Sequence, residues 1–452
     1  MPASAIDSTI FRAMFATEPM RQVFSDGNRV QKYLDFEAAL ARAEARLGVI
    51  PPEAAEEIAR HCDLGQFDLA ALAADTATIG VPVQPVVNQL VRLCRDGLSE
   101  WCHFGATTQD VMDTATILQI REGLALIEAD IAAIAAGLAG LARAHRDTVM
   151  AGRSYLQQAI PTTFGHKIAG LLAAFLRHRQ RLDEIKPRLL VGQFGGAVGT
   201  LASLGALGLD VQAALMRELG LGIAEMSWHS ARDRIAEIGA FLGLLTATCA
   251  KLALDVKLLA QTEVEEAAEP PAPGRGSSST MPHKRNPVAS TLISAAAAVV
   301  RQHVAALLEA MVGDHERASG AWQIEWIAVP EIFCLSAAIL AHTRALASGL
   351  RVDRERMRAN LDATRGLVMA EAVTMALAPQ LGRHRAHHLV SEMSKQVIAT
   401  GRPLADLLAE NAEIARHLDR AAIVRLTDPA TYLGVAGEMV DRVLALYETD
   451  TG

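Results

Sequence analysis

The segment Gly276–Pro287 combines several side chains that could do chemistry. Three consecutive serine hydroxyls are followed by Lys284, an arginine and Asn286. Asn286 can cap a helix, and Pro287 suits a first helical turn because its missing N–H would have no partner there. The free N–H groups of that helix and the two cations predict a carboxylate or phosphate site. A linker is the alternative, and a loop over 263–287 that orders on substrate satisfies both interpretations.

A second polar stretch stands before a long apolar run. Its candidate residues are His103, Thr107, Thr108, Gln109 and Asp110. Thr107 and Asp110 have the spacing of a capping box, with Asp in place of the usual Glu. A cap alone leaves the histidine, Thr108 and the glutamine unexplained, so the pattern favours a functional site.

A third stretch, Gly152–Thr163, also ends in proline and in hydroxyl residues that can cap a helix. Arg153 and Gln157 could hold a carboxylate there. An ordinary connection between two helices explains this stretch better when it is taken alone.

Two further segments carry histidine and arginine. In Trp228–Arg234, His229 suits acid–base work and Arg232 suits an anion clamp. A solvated, charged first helical turn explains the same residues equally well. The segment 315–317, which includes Arg317, could line a pocket, but packing at a helix end is the preferred interpretation.

The sequence contains no HExxH, Walker or GxGxxG pattern, so we expect neither a metal nor a nucleotide cofactor. The five cysteines lack metal-ligand spacing: Cys62, Cys94, Cys102, Cys249 and Cys334. Hydroxyls, histidines and anion-binding helix starts remain. That set suits proton transfer at a carbon next to a carboxylate, where cations and N–H groups stabilise the resulting aci-carboxylate.

Composition indicates a cytoplasmic helical protein. Hydrophobic residues make up 51% of the 452 residues and aromatic residues only 4%, which favours closely packed helices. The formal net charge of −8 argues against a nucleic-acid partner. No signal-peptide pattern is present, and the most apolar stretches, Ile131–Leu141 and Leu292–Val300, are expected to be too short for a membrane.

Apolar residues recur at spacings of three and four in Ile117–Leu141, Phe164–Ile185 and Ile235–Leu259. This heptad pattern predicts three long bundle helices, each about 40–55 Å long at about 1.5 Å per residue. Less regular apolar helices are expected over Val288–Met311 and Trp322–Leu350. No alternating segment demands a sheet, so the predicted class is all-α.

The expected domains are 1–110, a central bundle over 111–351, and 352–452. Each of the three polar stretches precedes a bundle helix. If successive helices are antiparallel, the first stretch lies at the opposite end from the other two. One subunit could not join all three, but an antiparallel oligomer could, which predicts sites shared between subunits.

The loop resembles the Gly-Ser-Ser-x-Met-Pro-x-Lys-x-Asn-Pro pattern of the fumarase/aspartase superfamily, with one extra serine. The resemblance covers essentially the whole chain. It implies three helical domains, a homotetramer with active sites drawn from three subunits, and no metal. It also implies that Ser278 is the general base, with Ser277 as the other possibility. Lys284 and the loop amides would lower the pKa of that hydroxyl.

Within the superfamily, Met281–Pro287 and Trp228–Arg234 resemble the 3-carboxy-cis,cis-muconate cycloisomerase branch. Adenylosuccinate lyases carry a histidine for proton transfer where this chain has Tyr155. The resemblance implies lactonisation of a tricarboxylate diene to 4-carboxymuconolactone, in protocatechuate degradation. The implied catalytic residues are Ser278, His103, His229 and Lys284, and the implied substrate-binding residues are Thr107, Thr108, Arg153, Gln157, Ser277, Asn286, Arg232 and Arg317.

Two alternatives stay open. An elimination enzyme of the adenylosuccinate lyase type would need a substitute acid, because Tyr155 replaces the histidine. A silent helical scaffold is a hypothesis of another class, and the intact Ser278 and Lys284 argue against it.

Overall fold

The protein is mostly helical, and the structure, a computed structural model, describes residues 4–271 and 273–451. The N-terminal helices are α1 Arg12–Phe15, α2 Glu18–Val23, α3 Asp26–Arg46, α4 Pro52–His61, α5 Leu69–Ile79 and α6 Val83–Leu93. There follow α7 Thr108–Ala144, α8 Phe164–Leu189, α9 Gly208–Leu219, α10 Asp233–Leu259, α11 Val288–Glu309 and α12 Ala321–Gly349. The C-terminal helices are α13 Arg354–Asp362, α14 Ala370–Leu381, α15 Arg383–Thr400, α16 Leu404–Glu410, α17 Arg420–Leu426 and α18 Ala436–Thr451.

The chain divides into two compact units. The first comprises Met1–Asp130, His178–Ala247 and Ala295–Ala341, and the second Ile131–Arg177, Thr248–Ser294 and His342–Gly452. Helices α7, α8, α10, α11 and α12 contribute residues to both units. The three-domain boundaries expected from the sequence stay a prediction.

The predicted apolar seams are buried. Every seam position from Ile117 to Leu138 in α7 is at most 2% exposed, and only the last one, Leu141, is half-buried. In α10 the positions from Ile235 to Leu259 are at most 5% exposed. The sequence therefore located the buried faces of these helices, because the 3.6-residue repeat brings residues three and four apart onto one side.

In the first unit, α3 packs against α4 and α9. Ser25 caps α3, since its side chain accepts a hydrogen bond from the Asn28 N–H. The buried face of the helix carries apolar residues and two carboxyl side chains, Glu37 and Glu44. Buried carboxyl groups are rare without partners, so this face needs a specific explanation.

In the second unit, α14 and α15 pack together. Gly382 joins them with a φ of 78°, a backbone conformation that favours glycine. Their core includes Val373, Leu377, Leu389 and Leu404.

The second unit also contains strands that the sequence did not predict. β1 Val149–Ser154 pairs antiparallel with β2 Gln157–Thr163, and β3 Ala267–Ala268 pairs with β4 Arg351–Val352. The third polar stretch is therefore largely one strand of a hairpin. Its strands have six and seven residues with a register shift, so they lack the regular alternation that reveals a strand.

Two residues form the turn of this hairpin, because Ser154 pairs with Gln157. Tyr155 and Leu156 have φ values of 50° and 63°, and their side chains are 94% and 81% exposed. Such turns favour Asn and Gly, since other residues are strained at positive φ. Two large exposed side chains thus occupy a strained tip.

The expectation that Ile131–Leu141 and Leu292–Val300 are too short for a membrane is wrong by length and composition, because both lie within longer apolar helices. Among the described residues, α7, α10, α11 and α12 are long and apolar enough to span a membrane. In the most apolar 18-residue window of each helix, 67% is buried in α12 but only 28% in α11. Helix α11 therefore keeps an apolar surface that this chain leaves uncovered.

Candidate active site

The start of α7 is built around the buried carboxylate of Asp110. Its Oδ2 accepts from the Thr107 N–H at 3.0 Å, which is the carboxylate half of the predicted capping box. The Asp110 N–H, in contrast, donates to the Thr107 backbone carbonyl rather than to its hydroxyl, so one half of the capping box forms. The Asp110 carboxylate also accepts from the N–H groups of Gly195 and Gly196, both at 2.9 Å. These bonds attach the segment after α8 to the start of α7.

Arg317 brings two predicted ligand segments together. Its Nη1 donates to Thr107 Oγ1 at 3.0 Å, and its Nε donates to Gln109 Oε1 at 2.8 Å. The guanidinium is half-buried, and Thr108 begins the helix beside it. Packing at a helix end is the preferred interpretation of 315–317 from the sequence, whereas the structure places a cation beside the Thr107 hydroxyl at a helix N-terminus. This combination suits a carboxylate.

Gln109 was a candidate of the second polar stretch, because a cap did not explain it, but it was not among the implied substrate-binding residues. It is 1% exposed, and its Nε2 donates to the His229 carbonyl oxygen at 2.8 Å. Its amide orients Arg317 from the other side. The sequence offered one indication of this role: Gln109 is a polar residue at a buried helix position where an apolar residue is usual.

His103 pairs with Glu37 from α3. The distance from His103 Nδ1 to Glu37 Oε1 is 2.6 Å, and the two side chains are 20% and 1% exposed. Burial lowers the pKa of His103, but the Glu37 carboxylate, with Asp110, raises it, and this pKa lies above its usual value. The sequence offered one indication of the role of Glu37: its carboxyl side chain stands at a position of α3 where the helical pattern calls for an apolar residue.

His229 is 2% exposed and has partners at both ring nitrogens. Its Nε2 lies 2.7 Å from Asp110 Oδ1, and its Nδ1 lies 3.3 Å from Ser227 Oγ. This geometry favours a supporting role over direct proton transfer to substrate.

Arg232 is also enclosed. All five of its N–H groups have protein acceptors: two on Asp113, two on Glu325 and the carbonyl of Trp228. The guanidinium also lies over the Trp228 ring, 4.8 Å from its centroid. The geometry contradicts a substrate-binding Arg232, because no donor is left for a ligand.

In the second unit, the loop distinguishes its two candidate serines. Ser277 Oγ donates to the Gly274 carbonyl oxygen at 2.9 Å and so uses its proton. Ser278 Oγ accepts from the N–H groups of Thr280 at 3.3 Å and Met281 at 3.0 Å. Donors aimed at an oxygen favour its charged form. This arrangement supports Ser278 over Ser277.

The start of α11 already binds a carboxylate of the protein. Glu269 accepts from the N–H groups of Ala289 and Ser290, at 3.1 and 2.7 Å. These two N–H groups are therefore not free to bind a substrate, contrary to the expectation. Asn286 instead closes the loop, since its N–H donates to the Gly276 carbonyl at 2.8 Å. Gly276 has a φ of 68°, and an added Cβ would lie 2.4 Å from the Asn286 oxygen.

Lys284 is exposed, and no acceptor for its ammonium is found among residues 4–271 and 273–451. Arg153 instead holds Glu266 with two hydrogen bonds of 2.8 and 2.5 Å, and Asn360 donates to the same carboxylate at 2.8 Å. The predicted carboxylate of Arg153 is thus the protein's own. Gln157 begins β2 and is exposed.

The predicted site residues divide between the two units. The first contains His103, Thr107, Thr108, His229, Arg232 and Arg317, and the second contains Arg153, Gln157, Ser277, Ser278, Lys284 and Asn286. In the described part of the chain, the His, Cys, Asp and Glu side chains form no group suited to a metal ion.

Comparisons with known proteins agree with this architecture. A family model described as "Lyase" matches residues 12–301, and one for the adenylosuccinate lyase C-terminus matches residues 366–443. The chain is 49% identical over 439 residues to 3-carboxy-cis,cis-muconate cycloisomerase of Pseudomonas aeruginosa, covering 96% of each. It is also 49% identical over 432 residues to trans-aconitate decarboxylase 1 of Mycosarcoma maydis, covering 96% of this chain and 88% of that protein.

The crystal structure of the 3-carboxy-cis,cis-muconate lactonizing enzyme from Pseudomonas putida has the same fold. It matches with a TM-score of 0.94 at 44% identity, covering 98% of this chain and 100% of that one. The chain belongs to the fumarase/aspartase superfamily of lyases, which confirms the resemblance of its loop. Its relatives within that superfamily include several 3-carboxy-cis,cis-muconate cycloisomerases.

Proposed function

We propose that this protein is a cofactor-independent 3-carboxy-cis,cis-muconate cycloisomerase of the cytoplasm. The observation that carries the proposal is Ser278, whose Oγ accepts two loop N–H bonds within the superfamily's signature segment. The 49% identity to a cycloisomerase over nearly the whole chain supports this choice of branch.

The reaction needs one bond to form and one proton to be delivered. A carboxylate oxygen of the substrate adds to a carbon of the diene, and the π electrons move to the neighbouring carbon. The carboxylate next to that carbon stabilises the charge as an aci-carboxylate. Ser278 then gives its proton to the carbon, and the loop amides stabilise the alkoxide that remains. Solvent returns the proton.

Charged groups would hold the carboxylates of the substrate. Arg317 with Thr107 and Thr108 forms one candidate carboxylate site. Lys284 is a second candidate, because its ammonium is exposed on the same loop as Ser278. Arg153 and Arg232 are left out of this set, since they bind carboxylates of the protein.

The residue at the hairpin tip favours cyclisation over elimination. Tyr155 stands where the adenylosuccinate lyase branch has its histidine, and a tyrosine hydroxyl is a weaker acid than an imidazolium. Lactonisation releases no leaving group, so it does not require that histidine. Elimination from adenylosuccinate is therefore the weaker alternative.

Decarboxylation of trans-aconitate is a second candidate, favoured by the 49% identity to trans-aconitate decarboxylase 1. Both candidate substrates carry three carboxylates, so the same cationic groups could bind either. The two reactions differ in product, because only the second releases carbon dioxide.

We also propose a homotetramer with active sites shared between subunits. Tyr155 and Leu156 at the hairpin tip are 94% and 81% exposed, which suits a contact with another copy. The uncovered apolar surface of α11 supports the same assembly, since large exposed apolar surfaces mark interaction sites. Light scattering after size-exclusion chromatography will measure the mass of the assembly.

The test is an ultraviolet assay with 3-carboxy-cis,cis-muconate, following loss of the conjugated diene. We expect rapid loss with the wild type, a reduction of at least about 100-fold in Ser278→Ala, and less than about 10-fold in the control Ser277→Ala. Absence of diene loss would overturn the proposal. Carbon dioxide release from trans-aconitate and cleavage of adenylosuccinate would then be measured.

A further inference from the structure

We propose that Glu37 is a positioning residue for His103, holding it as a charged imidazolium that binds a carboxylate of the substrate. This inference rests on the proposed function, and it assigns a role to a carboxylate on α3. It also gives His103 a binding role on the same polar stretch as Thr107, which Arg317 contacts.

The geometry of the pair supports this assignment. Nδ1 of His103 lies 2.6 Å from Glu37 Oε1, and Glu37 is 1% exposed. A buried carboxylate requires a cation or hydrogen-bond donors, because charge is poorly solvated in a protein interior. The other oxygen, Glu37 Oε2, has no hydrogen-bond partner in the described part of the chain. The imidazole is therefore the main neutralising group for this carboxylate.

The orientation of the ring leaves one nitrogen available. Nδ1 is used by Glu37, and Nε2 has no protein partner among the described residues, while the side chain is 20% exposed. The protonated ring can therefore donate Nε2–H to an anion from outside. Its backbone φ is 57°, a conformation unfavourable for a residue with a Cβ. Strain of this kind persists where surrounding contacts enforce it, often at functional sites.

Other titratable groups face the pair. Asp110 faces His103 from α7, and it already accepts from backbone N–H groups and His229. Cys62 and Cys102 lie near Glu37, and burial raises the pKa of both thiols, so they stay neutral.

Glu44 is the remaining carboxyl group on this face of α3. It is fully buried, and neither side-chain oxygen has a hydrogen-bond partner among the described residues. Burial, with help from Glu37, raises the pKa of Glu44 to about 9. Glu44 is therefore neutral at pH 7. Of the two buried carboxyl groups on α3, only Glu37 can stabilise the positive charge of His103.

The test compares Glu37→Gln with the control Glu44→Gln, which is equally buried on the same helix. The first readout is the ring titration of His103 in isotope-labelled protein, followed by NMR and assigned with His103→Asn. We expect the titration of His103 to move to lower pH in Glu37→Gln and to stay in place in Glu44→Gln. This readout needs no substrate, so it stands even if the wild type does not convert the tricarboxylate.

The second readout is kcat/KM on 3-carboxy-cis,cis-muconate. Loss of a charge-assisted hydrogen bond predicts a decrease of about 10- to 100-fold in Glu37→Gln, mainly through KM. The alkaline limb of the pH profile should move to lower pH, because the imidazolium is lost earlier. When His103 is already replaced by Asn, adding Glu37→Gln should lower kcat/KM by less than about twofold. The effects of two residues that act through each other are not additive.

An unchanged His103 titration in Glu37→Gln overturns the proposal. So does an unchanged alkaline limb in an active enzyme, even if the variant is less stable, because Glu37 would then be only structural. Absence of turnover by the wild type counts against the proposed function and leaves the titration to decide the pairing.

Discussion

Glu44 allows a quantitative test of the buried face of α3. The carboxyl group is fully buried, and its pKa is raised to about 9 from an ordinary value of 4.5. Folding must therefore keep it protonated at pH values where the unfolded chain would ionise it. The free energy of unfolding is therefore unaffected by this group below the unfolded pKa of 4.5. It decreases as pH rises from there toward the folded pKa of about 9.

The size of this effect follows from the two pKa values. Each pH unit above 4.5 costs about 1.4 kcal/mol, which gives about 3 kcal/mol at pH 7. Glu44→Gln keeps the shape of the side chain and removes the ionisation. The variant should match the wild type near pH 4.5 and become more stable than the wild type as pH rises. Between pH 5.5 and 8.0 the difference in free energy of unfolding should grow by about 3 kcal/mol.

The assay is thermal unfolding of both proteins at several pH values. A growth of about 3 kcal/mol corresponds to about 6–12 °C in the relative Tm for a unit of this size. A Tm difference that does not change between pH 5.5 and 8.0 would refute the reasoning. It would mean that Glu44 ionises with a partner inside the fold.

Two further predictions concern a buried ion pair and a strained turn. Arg232→Met should destabilise the protein by about 3–5 kcal/mol in thermal unfolding, because two buried carboxylates lose their cation. The control Arg402→Met should cost under about 1 kcal/mol, since that pair is exposed, and equal losses would contradict the explanation. Replacing Tyr155 with Asn and Leu156 with Gly should relieve about 1–2 kcal/mol of turn strain per residue and still lower kcat/KM at least about 10-fold. Full activity in that double variant would show that the exposed tip takes no part in catalysis.

Much of the helical fold was predictable from local patterns. The heptad seams located the buried faces of α7, α8 and α10, because helical periodicity is a property of neighbouring residues. The spacing of Thr107 and Asp110 predicted the cap of α7 for the same reason. The hairpin over Val149–Thr163 was missed, since short irregular strands leave no such repeat.

The partners of the charged residues were not predictable from spacing. Arg232 meets carboxylates 119 and 93 positions away, and Arg153 meets one 113 positions away. The sequence predicted that both arginines bind carboxylates, and both do. Only the tertiary structure showed that the anions are the protein's own Asp113, Glu325 and Glu266.

The sequence by itself determined the superfamily, the helices and the loop that carries the serines, because each depends on residues close together in the chain. The local conformation of the loop decided which serine accepts the nearby N–H groups. The tertiary structure decided which carboxylate occupies the start of α11 and which glutamate holds His103. Those choices depend on how distant segments pack. The free energy of burying a charged group depends on the partner that it meets in the folded protein.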